Sequence, residues 1–203
     1  VSREPTPPPR PPAPPAGTRR PASPSPRATP RGSVVVPAVS ESDVELWRTT
    51  TLKFSAAFEC GNLDVAYVKG PDEYGLRLAY DINTHGNTQW FYFGVQGGRQ
   101  GLSVRFHIEN LSKGKSLWNA GMQPVVCSMK SGLGWRHGGE QIKYAKTAIP
   151  KRCARGTFFV LSFSYTFEYD QDTVFFAYFF PYSVTSSNRL VNAVVSDPVT
   201  RQY

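Results

Sequence analysis

The chain has 203 residues, which fits one domain of ordinary size with a tail attached. Of its 18 prolines, 13 fall in residues 1–37, and that stretch also holds six arginines, no lysine and one glutamate. The formal +8 is therefore mostly a property of the tail, and the body is close to balanced. A basic balance of this kind does not by itself mark a nucleic-acid binder.

Residues 1–37 contain no aromatic side chain. Proline fixes φ and removes a donor, so the segment reads as disordered, with polyproline II character. PTPPPR at 5–10 fits the PxxPx-basic pattern that SH3 grooves read. Thr6, Ser23, Ser25 and Thr29 each precede a proline, and phosphorylation there would offset the arginine charge. The extreme N-terminus, VSREPTPPPR, has no apolar core of the kind a secretory signal needs. No apolar run approaches the length of a membrane-spanning helix, so no membrane partner is expected. Cys60, Cys127 and Cys153 are odd in number and far apart, which points to reduced thiols and a cytoplasmic setting.

From residue 46 the pattern turns to period two. The clearest run is 157–169, where Leu161, Phe163, Tyr165 and Phe167 share one face and Ser162, Ser164 and Thr166 the other. Similar strand signals occupy 52–59, 76–82, 88–95, 102–109, 122–128 and 173–179, with glycine-rich turns between them. No stretch of the body shows a sustained helical period. The expectation is an all-β fold, an antiparallel sandwich of about 7–9 strands over residues 38–185. Residues 186–203 read as a polar linker toward something further along. Trp90, Phe91, Tyr92 and Phe93 are consecutive, so both faces of that strand carry rings. Such a strand is central in the sandwich or pressed against a partner. Single-stranded nucleic acid would need basic residues beside those rings. None lies between Arg77 and Arg99, so nucleic acid is not expected.

Candidate chemistry is thin. Arg136-His137-Gly138-Gly139-Glu140 places a histidine and a glutamate at H-x-x-E spacing, as in zinc carboxypeptidases. A catalytic zinc needs a third protein ligand, and no histidine follows His137. A polar turn is the better reading. His107 and Glu109 lack the paired cysteines that a zinc deaminase requires. No catalytic and no metal-binding residue is expected in this chain.

Six blocks occur in order: FECGNLDVA (58–66), YDINTHGNTQ (80–89), TQWFYF (88–93), RFHIENLSKGKSLWNAGMQPVVCS (105–128), GWRHGGEQIKY (134–144) and DTVFFAYFFPY (172–182). Together they resemble the N-terminal domain of the cytosolic carboxypeptidases, zinc enzymes that remove glutamates from tubulin and other proteins. The resemblance implies a small sandwich packed against a following carboxypeptidase domain, with the zinc and the catalytic groups in that later domain. It makes the downstream domain the first partner, with tubulin or other acidic protein tails and SH3-type proteins as further ones. Where relatives carry Lys-Pro this chain has Lys113-Gly114, and after Pro181-Tyr182 it reads Ser183-Val184-Thr185 rather than Thr-Tyr-Ser; both departures bear on loop geometry. On loop position and family blocks, Asn110, Lys113, Trp135, Arg136, Pro181 and Tyr182 are the residues expected at the interdomain face or in its support. The rival expectation is a stand-alone interaction module that recruits partners through its Pro/Arg tail.

Overall fold

The computed structural model describes residues 52–84, 86–151 and 156–197. The tail with its proline motif, His85 and Cys153 lie outside the described residues. Ten strands are present among them: β1 Lys53–Ser55, β2 Val65–Gly70, β3 Glu73–Arg77, β4 Tyr92–Gly98, β5 Ser103–Leu111, β6 Val125–Ser128, β7 Arg136–His137, β8 Glu140–Pro150, β9 Thr157–Thr166 and β10 Asp172–Ala177. A short 3₁₀ turn, Trp118–Ala120, and one helix, α1 Val184–Ser196, complete the elements.

The strands form two five-stranded sheets, ordered β1-β4-β10-β6-β7 and β2-β3-β5-β9-β8. The all-β expectation holds, with one strand more than the upper count and one exception to antiparallel pairing. β3 and β5 run parallel, Glu73 opposite Arg105 and Leu76 opposite Ile108. The reason is the route of the chain: after β3 it crosses to the first sheet to make β4, then returns to the second in the original direction.

Rings from both sheets fill the space between them. Phe176 of β10 lies 5.4 Å from Phe93, 5.2 Å from Phe106, 5.9 Å from Phe163 and 5.0 Å from Tyr165, measured between ring centroids. Phe54, Phe91, Phe93, Phe106, Phe163 and Phe176 are all fully buried. Burial of this many rings is the main favourable term for the fold. At the end of β4 the packing leaves no room for a side chain: a Cβ on Gly98 would stand 2.3 Å from the Phe167 ring.

Four strand assignments differ from the sequence expectation. β2, β7 and β8 were not anticipated: all three are edge strands, β7 is only two residues long within the stretch read as a polar turn, and the alternation of β2 and β8 is broken by small and polar residues. The strand expected at 76–82 stops at Arg77. Beyond it, asparagine side chains take the place of a neighbouring strand. Asn110 accepts from Leu78 N–H at 2.9 Å and donates to Leu78 C=O at 2.8 Å. Asn62 does the same at Ala79, at 3.1 and 3.4 Å. Asn119 repeats the pattern at Tyr144 on β8, with both bonds at 2.8 Å. A primary amide carries one acceptor and a donor pair, so each asparagine answers both backbone groups of a residue.

Helix α1 falls in the region expected to be a polar linker. Its start is an ordinary N-cap, the Ser183 hydroxyl accepting from Ser186 N–H at 3.1 Å. None of its side chains is buried.

Candidate functional site

The first sheet carries an apolar cluster on each face. Its inner face belongs to the main core, through Phe54, Phe91, Phe93, Val95, Val126, Val174 and Phe176. Its outer face carries Tyr92, Val125, Cys127, Phe175 and Ala177, covered by Phe58, Trp90 and Trp135. Strict alternation along β4 and β10 sends neighbouring rings to opposite sides, so Phe93 points in and Tyr92 out. Phe58 meets Tyr92 at 4.7 Å and Phe175 at 5.5 Å, and Trp135 meets Tyr92 at 5.4 Å. Burial pushes the Tyr92 hydroxyl well above its ordinary value and the Cys127 thiol up to about 11.

The cover over this face is set by the loop 56–62. Gly61 N–H donates to Phe58 C=O, Trp90 Nε1 donates to Cys60 C=O at 2.7 Å, and Asn62 N–H donates to Tyr92 C=O. A Cβ on Gly61 would stand 2.0 Å from Ala56 O, so only glycine permits this turn. From the same loop Glu59 accepts from Thr185 N–H at 3.0 Å. That bond, with further ones from Ser183 and Val184, holds the Glu59 carboxyl below its usual range. The start of α1 is thus tied beside the outer face of the first sheet.

Around this face lies a rim of exposed apolar side chains. Phe179, Phe180 and Tyr182 are 55%, 40% and 65% exposed, and Phe180 packs edge-on to the His137 ring at 5.4 Å. Arg136 pairs with Glu168 across the end of the sandwich. The two wall a cleft of about 610 Å³ that His137, Glu140 and Tyr165 also line. Burial pushes the Tyr165 hydroxyl up to about 12.

The six residues singled out in the sequence fall into two groups. Trp135 covers the outer face and Arg136 pairs with Glu168, while Pro181 and Tyr182 follow Phe180, whose ring meets that of His137. Asn110 and Lys113 belong to a different corner. Asn110 is 9% exposed and committed to Leu78, while the Lys113 carbonyl accepts from the Tyr144 hydroxyl. The sequence reading missed Phe58, Glu59, Phe179 and Phe180. The signal available was FFPY at 179–182, where rings continue after the strand alternation ends.

Among the described residues no three of His, Cys, Asp and Glu are grouped to hold a metal ion. His137 and Glu140 lie on successive strands at the cleft, and its other carboxylate, Glu168, is paired with Arg136. His107 is spent elsewhere: its ring nitrogens stand 2.7 Å from Ser162 Oγ and 2.6 Å from Glu73 Oε1. This Ser–His–Glu chain superficially suits a nucleophile. Yet Ser162 is 7% exposed, and β9 is paired on both sides, by β5 and β8. Its backbone N–H groups are held in ladders and form no oxyanion hole. On the same outer face of the second sheet, Glu109 accepts from Tyr67 Oη at 2.6 Å and Lys69 Nζ at 2.8 Å. Burial opposes the Glu109 charge, but these two bonds and the cations Lys69 and Arg77 outweigh it and hold the carboxyl below its usual value.

Residues 54–179 match the cytosolic carboxypeptidase N-terminal domain. The chain belongs to the cytosolic carboxypeptidase family. Cytosolic carboxypeptidase 2 of Macaca fascicularis is 41% identical over 157 residues, covering 75% of this chain and 18% of that protein. Cytosolic carboxypeptidase 3 of Bos taurus is 36% identical over 157 residues, covering 75% of this chain and 16% of that protein. The chain thus spans less than a fifth of the length of these curated relatives. The crystal structure of a metallo-carboxypeptidase from Burkholderia cenocepacia superposes with a TM-score of 0.52 at 25% identity, over 73% of this chain and 34% of that one. No helix among the described residues is long and apolar enough to cross a membrane.

Proposed function

We propose that this chain is the non-catalytic N-terminal accessory domain of a cytosolic zinc metallocarboxypeptidase. It braces the peptidase domain and helps present substrate to it. The observation that carries the reading is the second apolar cluster, on the outer face of the first sheet under Phe58, Trp90 and Trp135, with the rings of Phe179, Phe180 and Tyr182 exposed in the segment after β10. Neighbouring exposed rings of this kind favour an interaction surface over open solvent. Zinc and the groups that activate water belong, on this reading, to the following domain, since the described residues offer no complete donor set. The reaction to look for is removal of C-terminal residues, with glutamates on acidic tails such as those of tubulin as the substrate class.

The test is the mass of the native polypeptide, by immunoblot under denaturing conditions with an antibody to residues 157–169. A band far above 22.5 kDa is expected, and a band at 22.5 kDa would overturn the reading. Within the longer polypeptide, Trp135→Ala and Tyr182→Ala should each lower peptidase turnover or solubility. Unchanged turnover and melting in both would remove these residues from the interface.

A further inference from the structure

The near-balance of charge in the body hides an uneven distribution. Between residues 110 and 167 there is one acidic residue, Glu140, against nine basic ones, so the acidic side chains lie elsewhere in the chain. Three of these cations flank one corner of the second sheet. Residues 112–116, SKGKS, follow β5 as a loop that is bound down onto β8 and β9. The Ser112 hydroxyl donates to Thr88 C=O at 2.9 Å, and Lys151 Nζ donates to Ser112 C=O at 2.7 Å. The Tyr144 hydroxyl donates to Lys113 C=O. Gly114 lies over the Phe159 ring, where an added Cβ would stand 3.2 Å away. The loop backbone is thus fixed by its neighbours, while the Lys113 and Lys115 side chains stand exposed. Lys146 joins them. The pairing of β8 with β9 runs unbroken from Lys143 to Lys146, so alternation puts Lys146 on the side of Tyr144 and Lys143 on the opposite face. Among the described residues none of the three ammonium groups has an acidic partner.

We propose that Lys113, Lys115 and Lys146 form a docking site for an acidic protein segment, one that carries successive glutamate or aspartate side chains. The proposal rests on the function inferred above for the role of that segment, and it gives the presentation of substrate a surface on this domain. Charge complementarity selects an anion, since unanswered like charges at one corner raise the local potential. Two features select carboxylates over a nucleic acid. The cations are lysines, compact charges on flexible stems that meet scattered carboxylates, and not the planar forks that match phosphate. The nearest rings, Tyr144 and Phe159, stack on each other at 5.4 Å beneath the loop and offer no platform to a base. A loop already held in place also loses little freedom when a ligand arrives.

Anisotropy of a fluorescein-labelled decaglutamate peptide, titrated with the 203-residue chain at low salt, tests this. Lys113→Gln, Lys115→Gln and Lys146→Gln together should weaken binding about tenfold, and added salt should weaken binding to the unaltered chain. The triple variant should melt as the unaltered chain does. If it melts lower, Lys115→Gln alone serves, with a loss of about twofold. Lys143→Gln, on the opposite face, should leave binding unchanged, and so should glutamine at all six arginines of residues 1–37. Absence of binding overturns the proposal. So does an equal loss with Lys143→Gln, which would make the attraction one of net charge, or a loss confined to the tail variant. Tighter binding of a thymidine decanucleotide, lost in the triple variant, overturns it in favour of nucleic acid. The titration needs no peptidase activity, so its failure removes this site alone, whereas a native polypeptide of 22.5 kDa removes the accessory reading on which the presenting role rests.

Discussion

Replacing Asn110 with alanine removes the side chain that closes β3 where its strand ends. The amide holds Leu78 N–H at 2.9 Å and Leu78 C=O at 2.8 Å, at a site where Leu78 is 3% and Asn110 9% exposed. Each buried backbone group left unanswered costs about 1–3 kcal/mol, so the pair should cost about 2–4 kcal/mol once some water enters the gap. For a domain of this size that is a fall in melting temperature of roughly 5–15 °C. Asn110→Asp is the sharper probe. Its carboxylate keeps the acceptor for Leu78 N–H but turns a negative oxygen toward Leu78 C=O, and only the protonated acid can donate there. The charged form is disfavoured in the folded state, so the variant's carboxyl is raised above the ordinary aspartate value of about 3.9. A raised carboxyl favours folding below its unfolded value and loses that contribution as pH rises through its folded value. The gap between Asn110→Asp and the unaltered protein, measured by thermal melts, should therefore be wide at pH 7 and narrow toward pH 4. A cost below about 0.5 kcal/mol for the alanine variant, within ordinary surface scatter, would refute the strand-substitute role. So would a gap for the aspartate variant that does not change with pH.

Phe176→Ala removes a ring in contact with four others, and a loss of about 3–5 kcal/mol is expected in urea melts. A loss under 1 kcal/mol would mean the core closes over the gap. Glu109 is held below its ordinary value by Lys69, Tyr67 and Arg77, so its contribution is present above about pH 4.3 and lost as pH falls through its lower folded value. Glu109→Gln should be less stable than the unaltered protein at pH 7 and show less further loss between pH 5 and 3. Parallel pH profiles would contradict this. Cys127 is buried with its thiol raised to about 11, whereas Cys60 is exposed, so iodoacetamide at pH 8 should label Cys60 and spare Cys127 in the folded chain. Equal labelling, read by peptide mass, would place the outer face of the first sheet in solvent.

The central strands were plain in the sequence because burial on one or both faces imposes a pattern. β9 alternates Leu161, Phe163 and Tyr165, and β5 alternates Val104, Phe106 and Ile108. The rings at 90–93 announced a strand apolar on both sides, and the structure shows the outer side under Phe58, Trp90 and Trp135. Edge strands β2 and β8 wrote no such pattern, since half of each side chain set faces water. The parallel β3–β5 pair was also hidden, because register between distant strands leaves no mark in either strand's own residues. Helix α1 was missed because valine and serine mask a helical period that Leu190, Val191, Val194 and Val195 do obey. Of the candidate residues, Trp135 lies on the outer apolar cluster, and the neighbours of Arg136 and Pro181, His137 and Phe180, meet ring to ring. Asn110 stood out in the sequence by its family block, while its bond to Leu78, 32 positions away, could be found only in three dimensions.

The strand order also governs how the chain can be made. β4 lies between β1 and β10, with Gly94 set against both Ser55 and Phe175, and β6 finds its inner neighbour only in β10. β5 likewise waits for β9. A chain leaving the ribosome from its N-terminus therefore carries the rings at 90–93 in a sheet that lacks its central strand until residue 177 has emerged. Long-range pairing of this kind is slow and exposed to aggregation. Nascent chains arrested short of β10 should be held by chaperones, and release should coincide with the arrival of Ala177 rather than with any earlier strand.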